Sequence, residues 1–300
     1  MDNTQRNATP LADWRLAEIP VTPSLSPYIG TFYYLHLPRP SEPTPLHRVI
    51  AMATPSLDLV INLGDPFTVE TFGDAVRVDS PVFLSGPRPT TTFLRRDNVL
   101  TLLGVRFKHG AIASLLPYPA KELEQRFVSL DQLWRETAAA LAAAAQRSPT
   151  TADLIRKTEE ILGHLFATAK RPDPMVRQAV KLIAQHQGDL EVSALAEALG
   201  VSRQTVKHKF DQHVGLSPKL FGKLRRFQAV LRRLAGTTKV DWTHLAQESG
   251  YYDQAHLIRE FNHFTGFSPQ KFLKNLEKGD DLYLFDSADQ THYHLDRRVR

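Results

Sequence analysis

Cysteine is absent from the 300 residues, which excludes disulfides, thiolate zinc sites and thiol nucleophiles and fits a reducing compartment. No charged segment followed by an apolar run and a small-residue site opens the chain, so no secretory signal is expected. Apolar stretches such as Pro55 to Leu63 are interrupted by polar residues well short of a membrane-spanning length. No serine sits in a nucleophile elbow, and no glycine-rich phosphate loop follows a strand. These absences point to a cytoplasmic, non-enzymatic protein with no cofactor, no metal and no membrane partner. Its length allows two or three domains.

Positive charge is unevenly placed. Residues 1–170 carry 17 Lys/Arg and 17 Asp/Glu, whereas residues 171–280 carry 17 against 11, and the last twenty carry 3 against 4. The whole surplus therefore lies in one segment, with His186, His208, His213, His244, His256 and His263. A solvated basic face and a polyanion footprint both fit that distribution.

The expected fold is α+β: a β-rich front with flanking helices, then an all-α part. Residues 19–108 contain IGTFYYLHL, LDLVINLGDPF, PVFLSG and LTLLGVRF, short apolar or alternating runs bounded by turn residues. HGAIASLL reads as a short helix. Ser129–Arg147 is alanine-rich, and Thr151–Ala169 puts Leu154, Thr158, Ile161, Leu165 and Ala169 on one face, for packing on the domain or pairing with a partner helix. The sequence Lys170-Arg-Pro-Asp-Pro174 reads as a hinge. The expected division is 1–135 as a regulatory domain, 136–173 as a helical linker, 174–278 as a helical domain and 279–300 as a tail. That tail either folds back or is disordered.

The helical segment repeats. Leu195-Ala196 and Gly200 match Leu245-Ala246 and Gly250 at an offset of fifty. Beyond one inserted residue the offset is fifty-one: Val206 with Leu257, Phe210 with Phe261, Gly215 with Gly266, Ser217-Pro218 with Ser268-Pro269, and Phe221 with Phe272. Such matching is an internal duplication of a three-helix unit with helix-turn-helix grammar: a small residue at a close crossing, a turn glycine, a polar cap, and apolar residues four apart. Ala235-Gly236 reads as the stop of the long helix joining the units.

Polar positions on each second helix are candidate base readers: Arg203, Gln204, Thr205, Lys207 and His208, then Gln254, Ala255, His256 and Arg259. Arginine reads guanine edges, glutamine reads adenine, and alanine or a threonine methyl meets the thymine methyl. Arg203, Gln204, Gln254 and Ala255 lie nearest the helix starts, where recognition helices meet bases. Ser202, Lys219, Arg225, Arg226 and Lys271 are candidate phosphate contacts, which fix register without reading sequence. The plainer alternative is a solvated polar surface on a helical domain. His208 and His256 lack neighbours at metal-ligand spacing.

Residues 174–277 resemble the DNA-binding domain of the AraC/XylS family of bacterial transcription regulators. LAQESGYYDQAHLIREFNHFTGFSPQKF, residues 245–272, carries the likeness, as does ALAEALGVSRQTVKHKFDQHVGLSPKLF, residues 194–221. The resemblance implies two helix-turn-helix subdomains joined by a helix over about 218–234, with readers at 203–208 and 254–259 in successive major-groove segments. LDLVINLGDPF, PVFLSG, LLGVRFKHGAIASLL and ELEQRFVSLDQLW resemble the N-terminal domain of one branch of that family, and imply an effector or dimerisation module. Double-stranded DNA is then the expected partner. Candidate further partners are an unidentified small-molecule effector, RNA polymerase and a second copy of the chain.

In the front domain Asp58, Asp65, Glu70 and Asp74 show no pairing by spacing. Arg106 and His109 flank a turn, either as an anion site or as a strand-end salt bridge beside a solvent-facing histidine. Phe32, Tyr33, Tyr34, Phe67, Phe72 and Phe83 either line a pocket or fill the core. The effector-binding residues are therefore unknown from sequence. The alternative function is a small-molecule-binding or protein-interaction protein whose helical domain is only structural.

Overall fold

The computed structural model describes residues 16–37, 48–71, 73–95, 99–234, 240–277, 281–285 and 292–295. The expected stop at Ala235-Gly236, and Phe72, lie outside these. The front half holds β1 (Leu16–Ile19), β2 (Ile29–Leu37), β3 (Arg48–Ala51), β4 (Asp58–Asn62), β5 (Phe67–Glu70), β6 (Ala75–Val78), β7 (Val82–Ser85), β8 (Thr92–Arg95), β9 (Leu100–Phe107) and β10 (Phe127–Ser129). Helices follow: α1 (Arg135–Arg147), α2 (Thr151–Ala167), α3 (Pro174–Gln185), α4 (Val192–Ala198), α5 (Arg203–His213), α6 (Pro218–Leu234), α7 (Trp242–Glu248), α8 (Gln254–Thr265) and α9 (Pro269–Glu277). Two further strands follow, β11 (Asp281–Phe285) and β12 (His292–Leu295).

The strands form two sheets, ordered β1-β2-β9-β4-β7-β10 and β12-β11-β3-β8-β5-β6. Strands β2 and β9 are apolar almost throughout because both of their faces are covered. Tyr33, Leu35, Leu37, Leu100 and Leu102 join one buried cluster with Phe67 and Val69 of the second sheet. Phe32, Leu103, Val105 and Phe107 join another, which also contains residues of α1 and α2. The front aromatics are core: Tyr33, Phe67 and Phe83 line a cavity of only about 40 Å3. HGAIASLL forms no α-helix, only a 3-10 turn over Ala113–Leu115.

The predicted stripe on α2 needs correction. Its buried residues are Leu154, Ile155, Thr158, Leu162 and Phe166, so Leu162 and Phe166 centre the face and Ile161 and Leu165 flank it. That face packs on the first sheet's core, with Phe166 stacked on Tyr28 at 4.3 Å. Of the two uses expected for the 151–169 helix, packing on the front domain is the one seen, and α1 joins the same cluster. The tail takes the fold-back alternative. Strand β11 runs parallel to β3, with Leu282 opposite Ile50, and β12 pairs antiparallel with β11.

Candidate nucleic-acid interface

Both second helices of the repeat start on a side-chain cap. Ser202 Oγ accepts a hydrogen bond from Thr205 N at 3.0 Å, and Asp253 Oδ1 accepts one from His256 N at 2.6 Å. Each occupies an orphan donor at a helix start. The preceding turns pass through Gly200 at φ +66° and Gly250 at φ +73°, the left-handed region that glycine enters without steric cost. Val206 and Phe210 anchor α5, and Leu257 and Phe261 anchor α8, all fully buried. The buried stripe leaves the opposite face of each helix outward.

On α5, Arg203, Gln204, Lys207 and His208 are exposed. Thr205 is half-buried, and its hydroxyl lies 2.9 Å from Ser202 Oγ, so it works first within the cap. His208 lines a cleft shared with Tyr118 and Lys170, placing it toward the front domain. On α8, Gln254, Ala255 and Arg259 are exposed, and Gln254 Oε1 accepts from Thr243 Oγ1 at 3.0 Å. His256 turns inward: it is half-buried, its Nε2 lies 3.6 Å from Glu260 Oε1, and its ring meets Tyr251 edge-on. The structure therefore keeps the early positions of both helices open, sets the exposed His208 at the interdomain cleft, and draws Thr205 and His256 toward protein.

Two expected phosphate contacts require correction. Helix α6 is buried on nearly every side along its middle, which takes Arg225 and Arg226 out of solvent, while Arg233 near its end stays exposed. Arg225 is 8% exposed and lies beside the front domain's Arg106 and His109. Arg226 Nη1 donates to Asp189 Oδ1 at 2.9 Å, and its Nη2 donates to Glu260 Oε2 at 3.2 Å. Its guanidinium also lies 4.6 Å from the Tyr251 ring centre. Lys223 Nζ completes the group, 2.8 Å from Glu260 Oε1. Burial opposes ionisation of Glu260, but Lys223 and Arg226 outweigh it and hold the carboxyl below its ordinary value. Ser202, Lys219 and Lys271 remain exposed.

The inserted residue of the second repeat explains the paired tyrosines. Tyr251 is buried on Arg226, whereas Tyr252 is 92% exposed beside the α8 cap. An exposed aromatic beside the start of α8 is a further candidate contact, and the one-residue shift in the repeat was its sequence signal.

The two halves are docked. Ile50, Met52 and Phe93 of the front domain share a buried cluster with Leu216, Leu224, Phe227 and Phe264, and Thr91 N donates to Phe264 O at 2.8 Å. His109 packs edge-on against Phe221 of α6 at 4.8 Å, which corrects the solvent-facing alternative for it.

A family model described as a helix-turn-helix domain matches residues 195–275. That match falls within residues 174–277, the segment whose sequence resembles the AraC/XylS DNA-binding domain. Residues 17–129 match a second model, a domain of unknown function. The chain is similar to an uncharacterized HTH-type transcriptional regulator of Haemophilus influenzae, 29% identical over 97 residues, which are 32% of each chain. The chain thus spans about a third of the length of that curated relative. Among solved structures it is similar to ToxT of Vibrio cholerae (10% identity, TM-score 0.47, 81% of this chain and 97% of that one). It is also similar to the C-terminal domain of AraT, a response regulator from Geobacillus stearothermophilus (27% identity, TM-score 0.32, 34% of this chain and 85% of that one). No helix among the described residues is long and apolar enough to cross a membrane.

Proposed function

We propose that the protein is a sequence-specific regulator of transcription that binds double-stranded DNA in the cytoplasm. The observation that carries this reading is the duplicated unit itself: two capped, internally anchored helices leave Arg203, Gln204 and Lys207 outward on one, and Gln254, Ala255 and Arg259 on the other. Those side chains match base edges in the major groove. Ser202, Lys219, Lys271 and the added Tyr252 are the backbone contacts of this reading. The front domain is its regulatory part, taking a small-molecule effector, and RNA polymerase and a second copy of the chain are its candidate protein partners.

A mobility-shift series on a selected site and a scrambled duplex tests it. Arg203→Ala and Gln254→Ala each lose about 1–3 kcal/mol of discrimination, the range for a bidentate base contact. Lys219→Gln weakens both duplexes alike. Equal losses on both duplexes for Arg203→Ala and Gln254→Ala remove the base-reading assignment.

A further inference from the structure

A cavity of about 680 Å3 lies where the end of β9 meets α3 and α6, within the size range of small-molecule sites. Its walls bring together Arg106 and Lys108 from the front domain with Arg177, Lys181 and Arg225 from the helical domain, and no carboxylate lines it. Asp58 neutralises Arg106 from behind, through bonds of 3.0 and 2.7 Å. Among the described residues, Lys108, Arg177 and Lys181 make no ion pair. Arg177 and Lys181 stand one turn apart on α3, both exposed at the rim, with Val180 and Ala184 adding apolar wall between them. His109 also faces this space. Burial, then Arg225 and Arg106, push its imidazole down to about 3, so it contributes ring nitrogens without charge.

We propose that this interdomain cavity binds a small organic polyanion, a phosphate ester or a di- or tricarboxylate, as the protein's effector. The inference rests on the regulator reading and names the site and ligand class for it. The charge count selects the class: one carboxylate leaves most of the converging cations uncompensated, whereas two or three negative charges match Lys108, Arg177 and Lys181. The large cavity and its apolar wall fit an organic body better than a bare ion. Because the ligand touches both domains, it favours the docked arrangement over any in which they separate. It must then change DNA affinity by the factor by which DNA changes its own affinity.

The test is calorimetric titration of the full chain with pyrophosphate and, separately, citrate, at ionic strength matched with chloride. The paired exposed substitutions Arg177→Gln and Lys181→Gln, and Lys108→Gln alone, are compared with Arg203→Ala. We expect one probe to bind the wild type and Arg203→Ala alike, and at least tenfold more weakly to the cavity variants. The responding probe distinguishes phosphate from carboxylate recognition. Binding of neither probe above the chloride control, or equal binding to the cavity variants, overturns the proposal. So does loss of anion binding in Arg203→Ala, which would place the probes on the DNA-reading face. Uniformly weakened DNA binding in the cavity variants, with anion binding unchanged, also overturns it and makes these cations phosphate contacts. Sequence preference of the ligand-free wild type is measured independently, so the regulator reading stands or falls by itself.

Discussion

Arg226 shows how one buried charge organises its surroundings. Its side chain is 7% exposed and that of Glu260 is 6% exposed, so neither ion has water to fall back on. Asp189, which follows α3, joins them from the surface, and Lys223 gives Glu260 a second cation. Removing one member of a buried pair costs about 3–5 kcal/mol, because the other is left charged and uncompensated. Glu260→Ala should therefore destabilise the chain by that order in urea unfolding, and Glu260→Gln by less, since the amide keeps a hydrogen-bond acceptor. The pH dependence follows from the depressed carboxyl. Its stabilisation is fully present above the ordinary value of 4.5 and is lost as pH falls through the lower folded-state value. Stability measured from pH 7 downward should show the gap between wild type and Glu260→Gln narrowing only below that ordinary value. A constant gap would remove the ion pair from the account.

At the scale of elements, the approach of α3 to α6 sets the first helix-turn-helix unit. The chain leaves α3 through Gly188 at φ +83°, where an added Cβ would stand 2.2 Å from the carbonyl oxygen of Gly222 in α6. Both the backbone conformation and the contact exclude a side chain. Gly188→Ala should thus destabilise by more than the roughly 0.4–1 kcal/mol that the same change contributes favourably at a compatible site, seen as a lowered unfolding midpoint; an unchanged midpoint would mean that the two helices can part freely. The repeat was legible because helix caps, turn glycines and four-residue apolar spacing are local signals. The burial of Arg225 and Arg226 was not, since an arginine on a helix reads the same whether it meets solvent or a distant Glu260. Asp58 gave no pairing signal for the same reason: its partner Arg106 lies directly opposite on another strand, and strand register is set across the sheet. Strands β3, β5, β6 and β8 have four residues each, too few for periodicity to separate them from loops. The face of α2 was shifted because Leu162 and Phe166 compete with Ile161 and Leu165 for the same helical stripe, and only the sheet beneath decides between them.

Across the whole molecule, the order of elements along the chain differs from their order in space. The tail returns past both helix-turn-helix units to set β11 beside β3, while β12 lies against β1 at the edge of the first sheet. The last segment thereby covers the edge of β3, whose unpaired backbone groups would otherwise face water or a second chain. Strand β3 also supplies Ile50 to the cluster that holds the domains together, so tail, front sheet and α6 are mechanically connected. Truncation after Glu277 should lower the thermal midpoint of the full chain and shift the loss toward the front domain, because β3 loses its neighbour. Calorimetry of the intact chain should give one cooperative transition, since Leu224, Phe227 and Phe264 unfold together with Ile50 and Phe93. The truncated chain should separate into two, with the earlier one belonging to the sheets. Identical single transitions for the two chains would mean that β11 contributes nothing to the sandwich. Self-association of the truncated chain, absent in the intact one, would instead identify the freed β3 edge as the surface the tail covers.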